Sequence, residues 1–219
     1  MTINKFLCIG SACEGLFMTK KLGLRYTGPV DNLGLRGFKY TYKLFNNEFY
    51  NQVISNEYTL DSNNVWDSNY PVTYFGINKN FKTADTYFMM HNDYRLQKTR
   101  NELIKRLKLL NKYIDNAKND KSLFFIYSII YEDEYISDKD IIETLNKLPE
   151  FVKNRLLVLD SGRFKNKCIL ENYFPIFKDS IRNTDESYLK VKFNNWWLEN
   201  KYFYESKNNQ EYTQIIYNN

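Results

Sequence analysis

Apolar residues fall into two alternating rhythms along this chain. Phe6–Ile9 is a short continuous apolar run closed by Gly10 and Ser11, the length and punctuation of a buried strand. From Glu14 to Leu22 the spacing changes. Leu16, Phe17 and Leu22 recur at helical intervals, Lys20 and Lys21 fall in the last turn, and Gly23 follows just past it. The same alternation returns further on. Leu96, Leu103, Leu107, Leu110 and Ile114 form one stripe of a long helix. KSLFFIYSII then reads as a strand buried on both sides of a parallel sheet. Ser137 caps a second amphipathic helix through SDKDIIETLNKLPEF, and NRLLVLDSG gives another buried strand. CILENYF reads as a further strand, and NNWWLENKYFYESK as a C-terminal helix. Strands alternating with helices predict an α/β fold, a mainly parallel sheet with helices on both faces and Cys13 at a strand-turn-helix junction.

Between the first helix and the long one the pattern is weaker. LGLRYTGPVDNLGLRGF reads as a loop punctuated by Gly and Pro, feeding a helix over the aromatic run Leu35–Phe49. Asn56–Phe81 is turn-rich and predicts an irregular region with a hairpin, and DTYFMMHND ends a strand at His91. At 219 residues the chain reads as one catalytic domain over 1–206. Residues 207–219 read as a tail, or as the start of a linker to a further C-terminal domain.

Composition narrows the partners more than the chemistry. Apolar residues make up 43% and charged residues 26%, and no apolar run approaches the ~18 residues of a membrane span, so no membrane partner is expected. The first strand opens within a few residues of Met1 and leaves no room for a signal peptide, which predicts a cytoplasmic protein. Three cysteines, sparse and without metal spacing, fit reduced thiols. A single histidine excludes a His-rich zinc site, and no metal is expected. A net charge of +5 suits an anionic small ligand as well as a nucleic acid. The basic residues are spread along the chain with no RNA-binding signature, so nucleic acid is not the expected partner.

In a parallel sheet ligands gather at the carboxyl ends of the strands, and Cys13, His91, Ser128 and Asp160 all fall near predicted ends. A cysteine at a helix N-terminus has its thiolate stabilised by unpaired backbone N–H groups and the helix dipole. A histidine ending a separate strand can take its proton. Asp93, two residues from His91, or Asp31, in the turn after Pro29, could orient the imidazole. The competing readings are a small packed cysteine, a lone structural histidine and an ordinary turn aspartate.

The run IGSAC, followed by KKLGLR and, after a short gap, PVDN, resembles the opening signature of the family described as papain-like cysteine peptidases. HND, the basic helix after it and SLFFIYS resemble that family's His-Asp segment with its helix and strand. The resemblance spans about the first 130 residues and would place the family's cysteine, histidine and aspartate on Cys13, His91 and Asp31. Asn32 stands where the family has an aromatic residue and Asn92 separates His91 from Asp93, so the third member stays open between Asp31 and Asp93.

The cysteine-bearing turn after the first strand is also similar to that of polysaccharide acetyltransferases that bind coenzyme A, and the Asn- and Tyr-rich text is similar to giant-virus sugar N-acetyltransferase domains. That likeness implies an acyltransferase moving an acetyl group from acetyl-CoA to the amine of a nucleotide-linked amino sugar or to another glycan acceptor. Gly10, Ser11, Arg25, Arg36, Arg95 and Arg163 would then hold the cosubstrate. A papain-like peptidase or other thiol hydrolase is the alternative.

Overall fold

The computed structural model describes residues 1–3, 5–10, 13–26, 28, 33–36, 38–54, 59–61, 73–76, 87–90, 97–129, 137–160, 173–175 and 181–217. In chain order the elements begin β1 (Thr2–Ile3), β2 (Lys5–Gly10), α1 (Cys13–Lys21), β3 (Arg25–Tyr26) and β4 (Leu33–Arg36). A 3-10 helix (Phe38–Leu44), α2 (Glu48–Ile54), β5 (Thr59–Asp61), β6 (Thr73–Gly76) and β7 (Tyr87–Met90) follow. The second half holds α3 (Gln97–Asn119), β8 (Leu123–Ile129), α4 (Asp138–Lys147), α5 (Glu150–Lys153), β9 (Leu156–Asp160) and β10 (Tyr173–Pro175). A second 3-10 helix (Ile181–Asn183), α6 (Glu186–Asn208) and β11 (Gln214–Ile215) close the chain.

Five strands form one parallel sheet in the order β10-β9-β8-β2-β3. Its central strands are apolar at nearly every position because helices cover both faces, leaving neither side for water. Alternation along each strand sorts the side chains. Leu7, Ile9, Phe125, Tyr127, Leu156 and Val158 pack on one face against Leu107, Leu110 and Ile114 of α3, Ile141 of α4, and Phe38 and Leu44 of the first 3-10 helix. Phe6, Cys8, Phe124, Ile126, Leu157 and Leu159 pack on the other against Met18 of α1, Leu22 just after it and an aromatic set from α6. The result is three layers, α/β/α, as the alternating rhythms predict. Ser137 caps α4 as expected, its side chain accepting from the Asp140 N–H at 3.1 Å. No helix among the described residues is long and apolar enough to cross a membrane.

Two expectations change. The helix expected over Leu35–Phe49 is a strand end, a 3-10 helix and the start of α2. β4 pairs antiparallel with β7, and a partner some fifty residues later in the chain leaves no trace in local periodicity. With β6 and β5 these strands make a four-stranded antiparallel sheet, and β5 with β6 forms the hairpin expected in that region. Of the strand read over CILENYF, Tyr173 and Phe174 lie in β10, and residues 168–172, Cys168 among them, lie outside the described residues.

The other change concerns the tail expected from Lys207. Lys207 and Asn208 complete α6, Asn209 ends it in the left-handed region at φ 47°, and β11 pairs in parallel with β1. Tyr212 is buried against Phe124 and Trp197, so these residues close the core instead of fraying.

Candidate active site

Taken in chain order, the five parallel strands lie second-first-third-fourth-fifth across the sheet. The winding reverses between β2 and β8, and the carboxyl ends of those two strands flank the crevice where sheets of this kind bind ligands. Cys13 opens α1 three residues after β2 ends at Gly10, so its backbone stands at that crevice.

Two glycines let the turn come this close. A Cβ on Gly10 would overlap the Tyr127 ring of β8. One on Gly15 would lie 2.8 Å from Cys8 Sγ and 2.8 Å from Ile126 Cγ2, so the first turn of α1 can rest on β2 and β8 only without a side chain there. The β2–β8 register slips between Cys8 and Gly10, where Cys8 pairs with Ile126 but Gly10 with Tyr127. Such a bulge re-aims the chain at a strand end.

The structure brings part of the expected set together. Gly10 ends β2, Cys13 begins α1, Ser128 is the penultimate residue of β8, and Asp160 ends β9 in register with Ile129. Ser128 is 0% exposed, and its hydroxyl has no hydrogen-bond partner among the described residues. Ser11, Asp31, His91, Asp93, Arg95 and Arg163 lie outside the described residues. Their described neighbours are informative, because Met90 and Leu33 are register partners in the β4–β7 ladder, and β4 runs close to β2. Arg36 ends β4 at the opposite end of that ladder, paired with Tyr87.

Arg25 is a correction to the expected cosubstrate set. It pairs with Phe6 at the start of β2, so it stands at the amino end of the sheet, away from the Cys13 turn. The sequence marks it as lying near a strand end. Only the parallel pairing reveals which end.

Sequence reasoning passed over Gly15 and Tyr127. The signal for Gly15 was present in the spacing G-x-x-C-x-G, since a glycine early in such a helix permits close helix–strand packing. Tyr127 carries no such signal. Among the described residues no group of three His, Cys, Asp or Glu side chains is placed to hold a metal ion.

Fold and turn together define a doubly wound α/β protein with a cysteine at the switch point of its sheet. The chain belongs to the family described as "Putative papain-like cysteine peptidase", whose sequence model matches residues 4–162, from the start of β2 to just beyond β9. That description is of an enzyme, and it accords with the thiol hydrolase alternative; it carries nothing of the acetyltransferase relation or of a viral origin. The chain matches no curated protein and no solved structure.

Proposed function

We propose that this protein is a thiol hydrolase that cleaves an amide- or ester-linked acyl group, with Cys13 as the nucleophile. The observation that carries the reading is the place of Cys13, first residue of the nine-residue α1 and three residues after β2, one of the two strands that flank the switch point. Backbone N–H groups in the first turn of a helix have no intrahelical partner, and they favour a thiolate there and the oxyanion that follows. His91 takes the thiol proton, and Asp31 orients the ring. Chain connectivity supports the pairing, since His91 follows Met90 by one residue, Asp31 precedes Leu33 by two, and Met90 and Leu33 are register partners.

In the reaction the Cys13 sulfur attacks the carbonyl carbon and a tetrahedral oxyanion forms. Its collapse breaks the bond to the leaving amine or alcohol, which collects the proton held on His91. Water, deprotonated by His91, then attacks the thioester, releasing a carboxylic acid and restoring the thiol. An acyltransferase differs only in the acceptor, a sugar amine replacing water. With Arg25 at the far end of the sheet, the cationic set expected around acetyl-CoA loses a member.

Brief iodoacetamide treatment with mass mapping is expected to label Cys13 first, because Cys8 is buried. Ester and peptide substrates should be hydrolysed by the wild type with a trapped acyl-Cys13, and Cys13→Ala should lose turnover by about 1,000-fold or more. Full hydrolysis by Cys13→Ala overturns the reading. Turnover that appears only with acetyl-CoA and an amino sugar moves the protein to the acyltransferases.

A further inference from the structure

We infer that the Ser128 hydroxyl donates a hydrogen bond to the anion formed at Cys13, and so acts as the positioning residue that holds this thiol as thiolate. The inference rests on the reading of Cys13 as nucleophile, and its argument starts from the sheet.

Along β8 the side chains alternate, with Phe125 and Tyr127 in the core beneath α3 and α4, and Phe124 and Ile126 in the core beneath α1 and α6. Ser128 therefore faces the α1 side, as does its β9 register partner Leu159. The position of α1 over this face is fixed by Gly15, whose missing Cβ would meet Ile126 and, at 3.9 Å, Leu159. Those two residues are the neighbours of Ser128 on that face, one two places back along β8 and the other across in β9.

α1 connects two adjacent parallel strands, so it runs back against their direction. Going from Gly15 toward Cys13 moves toward the carboxyl ends of the strands. Ile126 to Ser128 moves the same way. The start of α1 and Ser128 thus lie on the same face of the sheet and toward the same, carboxyl, end.

The second observation is independent of the helix. Ser128 Oγ is buried and has no hydrogen-bond partner among the described residues. A hydroxyl left so is costly and is uncommon in a folded core, and at a functional crevice it marks a donor whose acceptor belongs to the reaction. A thiolate at the helix N-terminus is such an acceptor. The unpaired first-turn N–H groups and this O–H would share the negative charge.

The test is the pH profile of Cys13 alkylation, measured together with thermal stability, in wild type, Ser128→Ala, Ser128→Val and Ser128→Thr. Thr keeps the hydroxyl and Val copies its shape without it. If the inference holds, wild type and Ser128→Thr share a midpoint below that of a free thiol. Ala and Val then move it up by about one pH unit, which makes alkylation about tenfold slower below the midpoint. A hydroxyl that is merely stranded gives a different result. Its removal in Ser128→Ala raises the melting temperature and leaves the Cys13 midpoint at the wild-type value, which overturns the inference while Cys13 keeps its role. A wild-type midpoint in the free-thiol range overturns the reading of Cys13 as nucleophile and this inference with it.

Discussion

Arg155 ties four backbone carbonyls together. It is 2% exposed, and its guanidinium donates to the carbonyls of Phe151 at 2.9 Å, Asp120 at 2.5 Å, Leu123 at 3.1 Å and Ala117 at 2.6 Å. Three elements meet there, the last turns of α3 and α5 and the first residue of β8. Burial lowers the guanidinium pKa, and Tyr212 and Asp120 work against that shift. An arginine stays charged regardless, and its planar fork can serve several acceptors at once. Arg155→Met is expected to destabilise the protein by about 3 kcal/mol, because the carbonyls lose their donor in a place water does not reach. Arg155→Lys should recover less than half of that, since an ammonium cannot span all four; urea denaturation of the three proteins checks both. An Arg155→Met variant as stable as wild type would show that the carbonyls find other partners.

At the scale of elements, α6 and the segment after it form a strap across one face of the sheet. The Met1 ammonium donates to Glu211 O, the Thr213 N–H to Met1 O, and the Ile216 N–H to Ile3 O, so the two ends of the described chain are tied together. Ending the chain after Asn209 removes β11 and the buried Tyr212, and should cost at least about 3 kcal/mol by analogy with deleting a core aromatic. Chemical denaturation of the shortened protein measures it. The strap also carries a pH dependence. Burial raises Tyr212 to about 12, with Arg155 lowering and Glu205 raising it, and burial raises Tyr217 to about 12. Tyr204 is raised by burial as well, and further by Tyr212.

The sign follows from linkage. Each tyrosine is raised above an unfolded value of about 10, so its contribution is present in full below that pH and is lost as pH rises toward about 12. Tyrosinate absorbance and far-UV circular dichroism should therefore change together in that window, and Tyr212→Phe should shift the transition upward. Tyrosines titrating near 10 without loss of structure would count against a docked strap.

For the molecule as a whole, the site is only as well placed as the contact between α1 and the sheet. Gly15→Ala must push α1 away from Cys8 and Ile126, at an expected cost of about 1–3 kcal/mol. Because Cys13 lies half a turn before Gly15, that displacement should also slow its alkylation. Adding Cys8→Ala opens room on one side and should restore part of both losses. Equal alkylation rates in wild type and Gly15→Ala would separate the reactivity of the thiol from the seating of the helix.

Local pattern determined most of the elements here. Continuous apolar runs marked β2, β8 and β9 because strands covered on both faces have no polar side to show, and helical spacing marked α1, α3, α4 and much of α6. The turn at Gly10 and the helix start at Cys13 were legible for the same reason, since both are written in adjacent residues. Tertiary structure decided what depends on partners distant in the chain. The order of the strands put the switch point beside Cys13, and the β3 register put Arg25 at the wrong end of the sheet. Pairing with β7 made a strand of Leu33–Arg36, and contact with Phe124 and Trp197 buried Tyr212. The isolation of the Ser128 hydroxyl belongs with these, because a residue's sequence gives its donor while only the fold gives or withholds its acceptor.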